Sequence, residues 1–526
     1  MRPISFQRRL GCAALLAGIF SAVSASAIPQ VAMPVFSPAA GTYAGAQSVT
    51  ISSATPGAMF AFTTDSSIPT ESGGTITHGT LYSGAIAISS TTALSAIAFK
   101  SGQADSAVSV AGYTVQSILP LNVLYNFSAS NHGGINPYAG LVQGVNNNFY
   151  GMTYQGGADS AGTIFSVTPA GALTTLVSFT SANAANNSAG LIQGRDGNLY
   201  GTTSGDGINS FGTVFKMTLL GSLTTLVTFD GTEGTYPQAA LIRDAFGNLY
   251  GTTASGGSDD VGTVFALNPA TGFGDYYTSA ILASFGGGTD GSYPEAGLVQ
   301  GSDLNFYGTT SSGGGSTNAG TVFRISSTGT LTILVSFTGA NGATPDAALM
   351  QGSDGNFYGT TTVGGSANDG TVFKLAVSGG VWTLTTLVSF DGTDGSTPES
   401  ALLQANDGNF YGTTYDGGSS NGGTVFRMTP AGVLTTLVSF NGTNGAYPYA
   451  GLVQGTDGNL YGTTYYGGSS NQGVIFQLVM PGSTPTLPPP PTASSGGGGA
   501  PGWWFLGFLV SAGILRWKFR KAQAHI

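Results

Sequence analysis

Tyrosines occupy positions in this sequence at which they could bind a ligand. The pattern Tyr-Gly-x-Thr occurs seven times, and the next residue is tyrosine in the first, sixth and seventh copies, at Tyr154, Tyr415 and Tyr465. The other four copies have Ser, Ala, Ser and Thr at this position. An exposed tyrosine offers a flat ring and a hydroxyl group, which suits stacking against a sugar ring. The sequence therefore indicates a carbohydrate-binding surface, provided that the fold brings these three copies together.

Side chains suited to catalysis are scarce. The chain has three histidines and one cysteine, Cys12, and His132 is the only histidine within the repeats. A histidine metal cluster or a Ser-His-Asp triad needs more than this. The arginines of the repeats lie on turns and strands of different kinds, so we do not expect them to share one rim and bind a substrate carboxylate. They are Arg195, Arg243, Arg324 and Arg427. We predict that the chain is not an enzyme, and a polysaccharide hydrolase or lyase is the less favoured alternative.

Acidic residues are more numerous, but most of them lie in turns. Pairs such as Asp196-Gly197 and Asp457-Gly458 have the composition of hairpin turns, and we predict that role for them. One loop, Asp391-Gly392-Thr393-Asp394-Gly395, spaces its oxygen donors so that Asp391 and Asp394 could bind Ca²⁺. The loop lacks the bidentate glutamate of an EF-hand, and a tight loop between strands needs the same glycines. No cofactor is predicted, and a structural calcium ion is the alternative.

The elements that carry these residues are repeated along the chain. The tyrosine of the motif Asn-(Leu/Phe)-Tyr-Gly recurs at positions 150, 200, 250, 307, 358, 411 and 461. The motifs Gly-(Thr/Val)-(Val/Ile)-Phe and, typically, Leu-Thr-Thr-Leu-Val-Ser-Phe follow it, and a fourth apolar run precedes it. Each is a short β-branched and aromatic run bounded by turn residues, so each repeat predicts four strands, A to D in chain order. Four strands in a repeat of this length are typical of a β-propeller blade.

The two ends of the repeat array complete one another. The array ends with a C strand at Phe476, whereas it begins at Leu121 to Phe127 with a D-like strand that lacks A, B and C. Pairing of this N-terminal D strand with the last C strand would complete a seventh blade and leave no exposed strand edge. The predicted fold is therefore all-β. It consists of a seven-bladed β-propeller over residues 119–480, closed by that pairing, with a small sandwich before it.

A closed ring would make repeats 6, 7 and 1 neighbours. The B–C and D–A loops of a propeller share one face, and the tyrosines of these three repeats fall on those loops. The predicted ligand-binding residues are Tyr138, Tyr154, Tyr415, Asp416, Tyr447, Tyr449, Tyr465 and Tyr466. The alternative is that these tyrosines only pack between blades, as we predict for the regular tyrosine of each Asn-x-Tyr-Gly motif.

The repeat motifs resemble a known bacterial family. The pattern Asp-Gly-Asn-Leu-Tyr-Gly-Thr-Thr, followed by Gly-Gly, Gly-Thr-Val-Phe and Leu-Thr-Thr-Leu-Val-Ser-Phe, is similar to the GloVer-type tandem repeat of choice-of-anchor proteins. The resemblance covers about Leu121 to Leu478. It implies a secreted or surface protein and supplies no catalytic residues.

Residues 31–115 form a separate unit. Short alternating runs separated by Gly, Pro and Ser predict a small Ig-like β-sandwich. The segments Gly41-Thr42-Tyr43 and Phe62-Thr63-Thr64-Asp65-Ser66 resemble the chitobiase/β-hexosaminidase C-terminal domain. The resemblance implies a spacer or a binding appendage and does not imply hydrolase activity.

Both ends of the chain look like targeting segments. Three arginines precede an apolar run that ends at Ala25-Ser26-Ala27, so residues 1–27 are predicted to be a secretory signal peptide cleaved after Ala27. Residues 481–502 form a linker rich in Pro, Gly and Ser, and residues 503–526 combine an apolar helix with a basic cluster. This order resembles the sorting tails of the PEP-CTERM and GlyGly-CTERM kind. A retained membrane anchor, a transmembrane helix, is the alternative.

Charge limits the partners of this protein. All 24 acidic residues lie between Asp65 and Asp457, and seven of the 14 basic residues lie in the two terminal segments, which leaves the body with a formal charge of −17. Such a body repels phosphate backbones, so nucleic-acid binding is not expected. We expect an exported interaction scaffold at the cell surface or outside the cell, touching a membrane only through its C-terminal tail. Its partners would be extracellular glycans or surface proteins, and carbohydrate binding through the tyrosine arc is the more specific alternative.

Overall fold

The computed structural model describes residues 28–44, 47–88, 91–116, 119–130, 133–180, 189–205, 211–269 and 277–481. The signal peptide with its cleavage site at Ala27, His132, the linker after residue 481 and the C-terminal tail lie outside these residues. No helix in the described part of the chain has the length and hydrophobicity needed to span a bilayer.

The N-terminal module consists of two β-sheets and a separate hairpin. The first sheet has the strand order β1-β3-β8, formed by β1 (Val35–Ser37), β3 (Gln47–Ser52) and β8 (Ile86–Ile88). The second has the order β2-β10-β9-β4-β7, formed by β2 (Gly41–Ala44), β10 (Ser109–Gln116), β9 (Thr92–Phe99), β4 (Met59–Thr63) and β7 (Thr80–Leu81). The hairpin pairs β5 (Thr70–Ser72) with β6 (Thr75–His78).

Alternating side chains hold the two sheets together. In β3, every second residue from Val49 onwards is buried, as expected for a strand with one face in a core. Val49 and Ile51 of the first sheet share a buried core with Leu94, Ala96 and Tyr113 of the second. The predicted Ig-like sandwich is confirmed.

Seven four-stranded antiparallel sheets follow in the described residues, and in six of them the strands are arranged in chain order. Sheet 1 comprises β13 (Val142–Gln143), β14 (Phe149–Thr153), β16 (Thr163–Val167) and β17 (Leu173–Ser178). Sheet 2 comprises β18 (Ile192–Gln193), β19 (Leu199–Thr203), β20 (Thr213–Met217) and β21 (Leu223–Thr228). Sheet 3 comprises β22 (Ile242–Arg243), β23 (Leu249–Thr253), β24 (Thr263–Pro269) and β25 (Tyr277–Ser284).

The next three sheets have the same construction. Sheet 4 comprises β26 (Val299–Gln300), β27 (Phe306–Thr310), β28 (Thr321–Ile325) and β29 (Leu331–Ser336). Sheet 5 comprises β30 (Met350–Gln351), β31 (Phe357–Thr361), β32 (Thr371–Ser378) and β33 (Val381–Ser389). Sheet 6 comprises β34 (Leu403–Gln404), β35 (Phe410–Thr414), β36 (Thr424–Met428) and β37 (Leu434–Ser439). In each sheet the four strands correspond to the predicted A, B, C and D segments.

Sheet 7 combines the two ends of the array. It comprises β38 (Val453–Gln454), β39 (Leu460–Thr464), β40 (Val474–Leu478) and the early strand β11 (Leu121–Asn126). Strand β11 runs antiparallel to β40, with Leu121 opposite Leu478 and Asn126 opposite Val474. The first D strand therefore pairs with the last C strand, as the sequence predicts. A short ladder of β12 (Gly134–Ile135) and β15 (Gln155–Gly156) lies beside sheet 1.

Aromatic rings pack between successive sheets. The ring of Tyr250 lies 4.1 Å from that of Phe306, and the ring of Tyr461 in sheet 7 lies 4.2 Å from that of Phe149 in sheet 1. All five residues of a B strand such as β14 are buried, because neighbours cover both of its faces. The regular tyrosines are core residues, as predicted, and Tyr461 is 0% exposed.

Two polar details explain the repeated motif around these tyrosines. In the Asp-Gly turn of sheet 5, the Asp354 carboxylate accepts hydrogen bonds from the backbone N–H of Asn356 at 3.1 Å and the hydroxyl of Tyr358 at 2.8 Å. The predicted turn role is confirmed, and the turn also satisfies the buried phenol. The glycine after the tyrosine is needed because a Cβ at Gly412 would lie 2.5 Å from the ring of Phe426.

Candidate functional site

The loops between D and A strands turn sharply at a repeated proline. The residue before this proline has a positive φ in the six repeats where it is described: Asn136, Tyr236, Tyr293, Thr344, Thr397 and Tyr447, with φ between 54° and 57° for the last three. Such a backbone is uncommon for a residue other than glycine, and it is a clear outlier for threonine. The turn makes the residue after the proline line the space enclosed by the short A strands.

These residues surround a cavity of about 620 Å³, which we call the central cavity. One position from each of six repeats lines it: Tyr138, Gln238, Glu295, Asp346, Glu399 and Tyr449. The equivalent residue of the second repeat lies outside the described residues. Three consecutive repeats therefore supply carboxylates, and the two repeats at the chain ends supply tyrosines.

A second cavity, of about 510 Å³, adjoins the first, and we call it the tyrosine cavity. It is lined by Tyr138, Tyr154, Ser204, Tyr236, Gln238, Tyr415, Tyr449, Tyr465 and Tyr466. Tyr138, Gln238 and Tyr449 line both cavities, so the two spaces share one wall. Each volume alone is within the range usual for sites that bind small organic molecules, and the lining of the tyrosine cavity is largely aromatic.

Contacts between rings link all seven predicted tyrosines. Tyr138 and Tyr449 are stacked, with centroids 4.3 Å apart and an angle of 25° between their planes. Tyr415 lies 4.5 Å from Tyr449, and Tyr465 lies 5.4 Å from Tyr449 in an edge-on arrangement. Tyr154 joins the group through Tyr138 at 6.1 Å. The rings form one aromatic wall, which supports the predicted grouping of repeats 6, 7 and 1.

Two of the predicted residues, Tyr447 of the wall and Asp416, do not line either cavity. Tyr447 contacts the rings of Tyr415 and Tyr466 at 5.0 and 6.0 Å. Asp416 exchanges backbone hydrogen bonds with Ser396 at 2.9 and 3.1 Å, which joins a B–C loop to a D–A loop on the predicted common face. Tyr236 was not predicted, although its place before the proline, equivalent to that of Tyr447, could have indicated it.

Burial and mutual repulsion raise the pKa values of the carboxyl groups in the central cavity. Burial, together with the nearby Glu295 and Glu399, raises the pKa of Asp346 to about 8. Burial and Asp416 raise the pKa of Glu399 to about 7, and burial raises the pKa of Glu295. The Oδ1 atom of Asp346 is buried without a hydrogen-bond partner among the described residues. Close carboxylates in a partly dry space cannot all be ionised at once.

Sequence analysis missed these three carboxylates. It assigned acidic residues to Asp-Gly turns, whereas Glu295, Asp346 and Glu399 each follow a proline and precede alanine or serine. These residues could have been found from the variation at this position, which holds Tyr, Gln, Glu or Asp in different repeats while the residues around it stay nearly the same.

Burial keeps four hydroxyl groups of the wall, those of Tyr138, Tyr415, Tyr449 and Tyr465, protonated at physiological pH. Burial raises the pKa of Tyr138 and of Tyr449 well above the ordinary value for tyrosine. Burial also raises the pKa of Tyr415 and Tyr465. Neutral phenols can both donate and accept hydrogen bonds, so the wall offers rings and hydroxyls to a ligand.

The loop considered for calcium uses its carboxylates internally. The Asp391 carboxylate accepts hydrogen bonds from the N–H and hydroxyl of Thr393 at 2.9 and 2.6 Å, and Asp394 accepts one from the N–H of Asp391 at 3.1 Å. The next repeat makes the same bonds with neutral Asn441 and Asn444. Asp391 and Asp394 therefore act as turn residues, and no cluster of three metal-binding side chains occurs in the described ranges.

Two of the four arginines line the same cavity. Arg195 and Arg243 line a separate cavity of about 260 Å³ together with Phe246 and Tyr277. Arg195 lies in the A–B turn of sheet 2 and Arg243 at the end of the A strand β22 of sheet 3. This cavity does not include Arg324 or Arg427.

Family comparisons cover most of the chain. Residues 111–321 and 305–488 match the model of the Gloeobacter/Verrucomicrobia repeat, and residues 38–110 match that of the chitobiase/β-hexosaminidase C-terminal domain. Both resemblances inferred from the motifs are confirmed. The C-terminal tail lies outside both matches, so its sorting role stays a prediction. Comparison with curated proteins gives no match.

Solved structures with distant similarity include three lactonases. A periplasmic gluconolactonase from Pseudomonas aeruginosa is 16% identical with a TM-score of 0.42, over 63% of this chain and 95% of that one. A putative 6-phosphogluconolactonase from Bacteroides fragilis is 17% identical with a TM-score of 0.41, over 61% and 86%. A gluconolactonase from Xanthomonas campestris is 11% identical with a TM-score of 0.35, over 69% and 89%. Similarity at this level does not carry the lactonase activity over to this chain.

Proposed function

The chain belongs to the Gloeobacter/Verrucomicrobia repeat family, and we propose that it is an exported, non-enzymatic interaction protein that binds carbohydrate on a seven-bladed propeller. The observation that carries this proposal is the tyrosine cavity. Its aromatic wall offers ring faces and neutral hydroxyls, the two features that recognise a sugar.

Closure of the ring is supported by a repeated contact between sheets. The backbone N–H of Ser353 in sheet 5 donates to the side-chain oxygen of Gln404 in sheet 6 at 2.8 Å. The N–H of Thr456 in sheet 7 donates to the equivalent oxygen of Gln143 in sheet 1 at 2.9 Å. Because sheets 7 and 1 meet as other neighbours do, we propose seven blades in a closed propeller, which brings the ends of the array together at the tyrosine wall.

A non-enzymatic role is favoured by the direction of the pKa shifts. Glycosidases use two carboxyl groups whose environments differ, one held protonated and the other ionised. Here burial raises the pKa of all three central carboxyl groups, Glu295, Asp346 and Glu399. The three shifts have the same direction, which favours a binding role over the separately tuned acid and nucleophile of a glycosidase.

Export is proposed from the ends of the chain and from its families. The signal-peptide pattern, the acidic body and the sorting-type tail agree with a location at the cell surface or outside the cell. The N-terminal sandwich would then be a spacer or a second binding module. Membrane contact would occur only through the tail.

A triple substitution tests the tyrosine cavity directly. Tyr154→Ala, Tyr415→Ala and Tyr465→Ala together are expected to weaken binding of a polysaccharide or oligosaccharide ligand roughly a hundredfold, at about 1 kcal/mol per ring. The fold should tolerate the changes, because Ala254 is the natural residue at the equivalent position in the third repeat. Binding to a glycan panel would be measured by isothermal titration calorimetry on the mature chain.

The control for this test is Tyr293→Ala. Tyr293 is 40% exposed on a D–A loop and does not line either cavity. It should leave glycan binding unchanged. Absence of binding to every glycan would contradict the proposal and leave a scaffold for protein partners, and release of reducing ends would identify an enzyme.

A further inference from the structure

We infer that the central cavity makes this site selective for amino sugars, because it places three carboxyl groups opposite the tyrosine wall. The inference rests on the proposed carbohydrate function and adds the class of sugar. The ligand would stack on Tyr138 and Tyr449 and direct a protonated amine towards Glu295, Asp346 and Glu399.

The first support is the unequal use of one repeated position. Each described copy of this loop has a buried proline before the position and a small residue, alanine or serine, after it. The residues that flank this position are therefore packed in the same way in every described copy. The position itself is acidic in sheets 4 to 6 and aromatic in the loops leading to sheets 7 and 1. Because the same position is acidic in some repeats and aromatic in others, the cavity suits a ligand that combines a positively charged group with a ring face.

The second support is the charge of the lining. The residues described around the two cavities include three carboxyl groups and no Lys, Arg or His. The buried Oδ1 atom of Asp346 has no hydrogen-bond partner among the described residues. A buried acceptor without a partner is costly, and a donor on a ligand would satisfy it. A positively charged donor suits this position best, because it also relieves the repulsion among the three acids.

The third support is the protonation of the carboxyl groups that line the central cavity. Repulsion and burial hold the pKa of Asp346 at about 8 and that of Glu399 at about 7. An ammonium group beside them favours the ionised forms and lowers both pKa values. At about pH 5 the free amine and both carboxyl groups are all protonated, so binding of the amine should release protons from the carboxyl groups, whereas a hydroxyl or an acetamide should not cause release.

Three β-1,4-linked tetrasaccharides that differ at carbon 2 separate these cases. They are the tetramers of glucosamine, N-acetylglucosamine and glucose, which present an amine, an acetamide and a hydroxyl on the same ring. We expect the mature protein to bind the glucosamine tetramer about ten- to a hundredfold more tightly than the other two. Calorimetry in two buffers of different ionisation enthalpy should show proton release for that tetramer alone.

Charge-removing variants identify the groups responsible. The combination Glu295→Gln, Asp346→Asn and Glu399→Gln keeps the shape of the cavity, so it should abolish the preference for the amine and the proton release while retaining weak binding of the neutral tetramers. Asp259→Asn removes an exposed charge from a B–C loop that contributes to neither cavity and should change neither property.

The outcomes distinguish this inference from the function on which it rests. Equal binding of all three tetramers, or a preference that survives in the amide variant, would overturn the amino-sugar inference and leave carbohydrate binding standing. A requirement for Ca²⁺, shown by loss of binding in EDTA, would also overturn it, because the acids would then serve a metal ion. Failure of every tetramer and every panel glycan to bind would contradict both proposals.

Discussion

Replacing Leu121–Asn126 by a Gly-Ser sequence of equal length is expected to unfold the propeller at temperatures where the parent is fully native. Leu121 and Val123 pack against the core of sheet 7, and Leu124 and Tyr125 pack against the core between sheets 7 and 1. Half-burial of four such side chains contributes about 5 kcal/mol. The free energy of unfolding of a whole domain is only about 5–15 kcal/mol, so this loss is comparable with the total.

The replacement would also uncover the edge of β40, which invites aggregation. Differential scanning calorimetry and size-exclusion chromatography would measure both effects. Asn122→Ser is the control, since this exposed side chain makes one hydrogen bond, to Gln477 at 3.0 Å, and its loss should cost little. A propeller that melts at the parental temperature without the strand would show that sheet 7 does not close the ring.

Asp346→Asn is expected to stabilise the protein at alkaline pH. The pKa of Asp346 is raised from its ordinary value of 3.8 to about 8 in the folded chain, so folding between these two pH values takes up a proton. The stability of the parent should be highest at or below pH 4, as far as this group is concerned, and fall as the pH rises towards 8. Allowing for partial hydration of the site, the ionised group costs about 3 kcal/mol at pH 9.

The amide carries no such penalty. Thermal melts from pH 5 to 9 should therefore show a flatter dependence for Asp346→Asn, with a gain of about 4 °C at pH 9. Asp354→Asn is the opposing control. Hydrogen bonds from Asn356, Lys374 and Tyr358 outweigh burial and lower the pKa of Asp354, so removing its charge should destabilise the protein at neutral pH. Identical pH profiles for the parent and Asp346→Asn would show that the central carboxyl groups are well hydrated.

The fold was largely predictable because the same pattern of strands and turns occurs seven times in the sequence. Each B and C segment is a short apolar run bounded by glycines, and each became a strand with continuous burial, as in β14. The pairing of β11 with β40 followed from counting strands at the two ends. The positive φ before the proline, as at Thr397, was not predictable, because threonine by itself gives no sign of a left-handed backbone.

The aromatic half of the site was predictable and the acidic half was not. Tyr154, Tyr415 and Tyr465 stand out from Ser, Ala and Thr in a position that the repeats align. Glu295, Asp346 and Glu399 lie at aligned positions too, but aspartates are so common in the turns of this sequence that these three residues could not be distinguished from turn residues. Their proximity depends on how successive sheets are placed in space, because the loops of three different sheets line one cavity.

A repeat propeller can thus acquire a site by varying few positions. The residue after the proline lines the central cavity in six repeats, and the residue after Tyr-Gly-x-Thr lines the tyrosine cavity in four, at Tyr154, Ser204, Tyr415 and Tyr465. Neighbouring repeats differ at the first of these positions, as Glu399 and Tyr449 do, while the residues around it are largely conserved between the repeats.

A crystal structure of the mature protein with a bound tetrasaccharide tests the central claim most directly. We predict density for a sugar ring in the tyrosine cavity, in contact with the rings of Tyr138 and Tyr449, with the glycosidic bonds intact. A sugar bound only to the N-terminal sandwich or elsewhere on the propeller, or a cleaved product in the central cavity, would contradict the account.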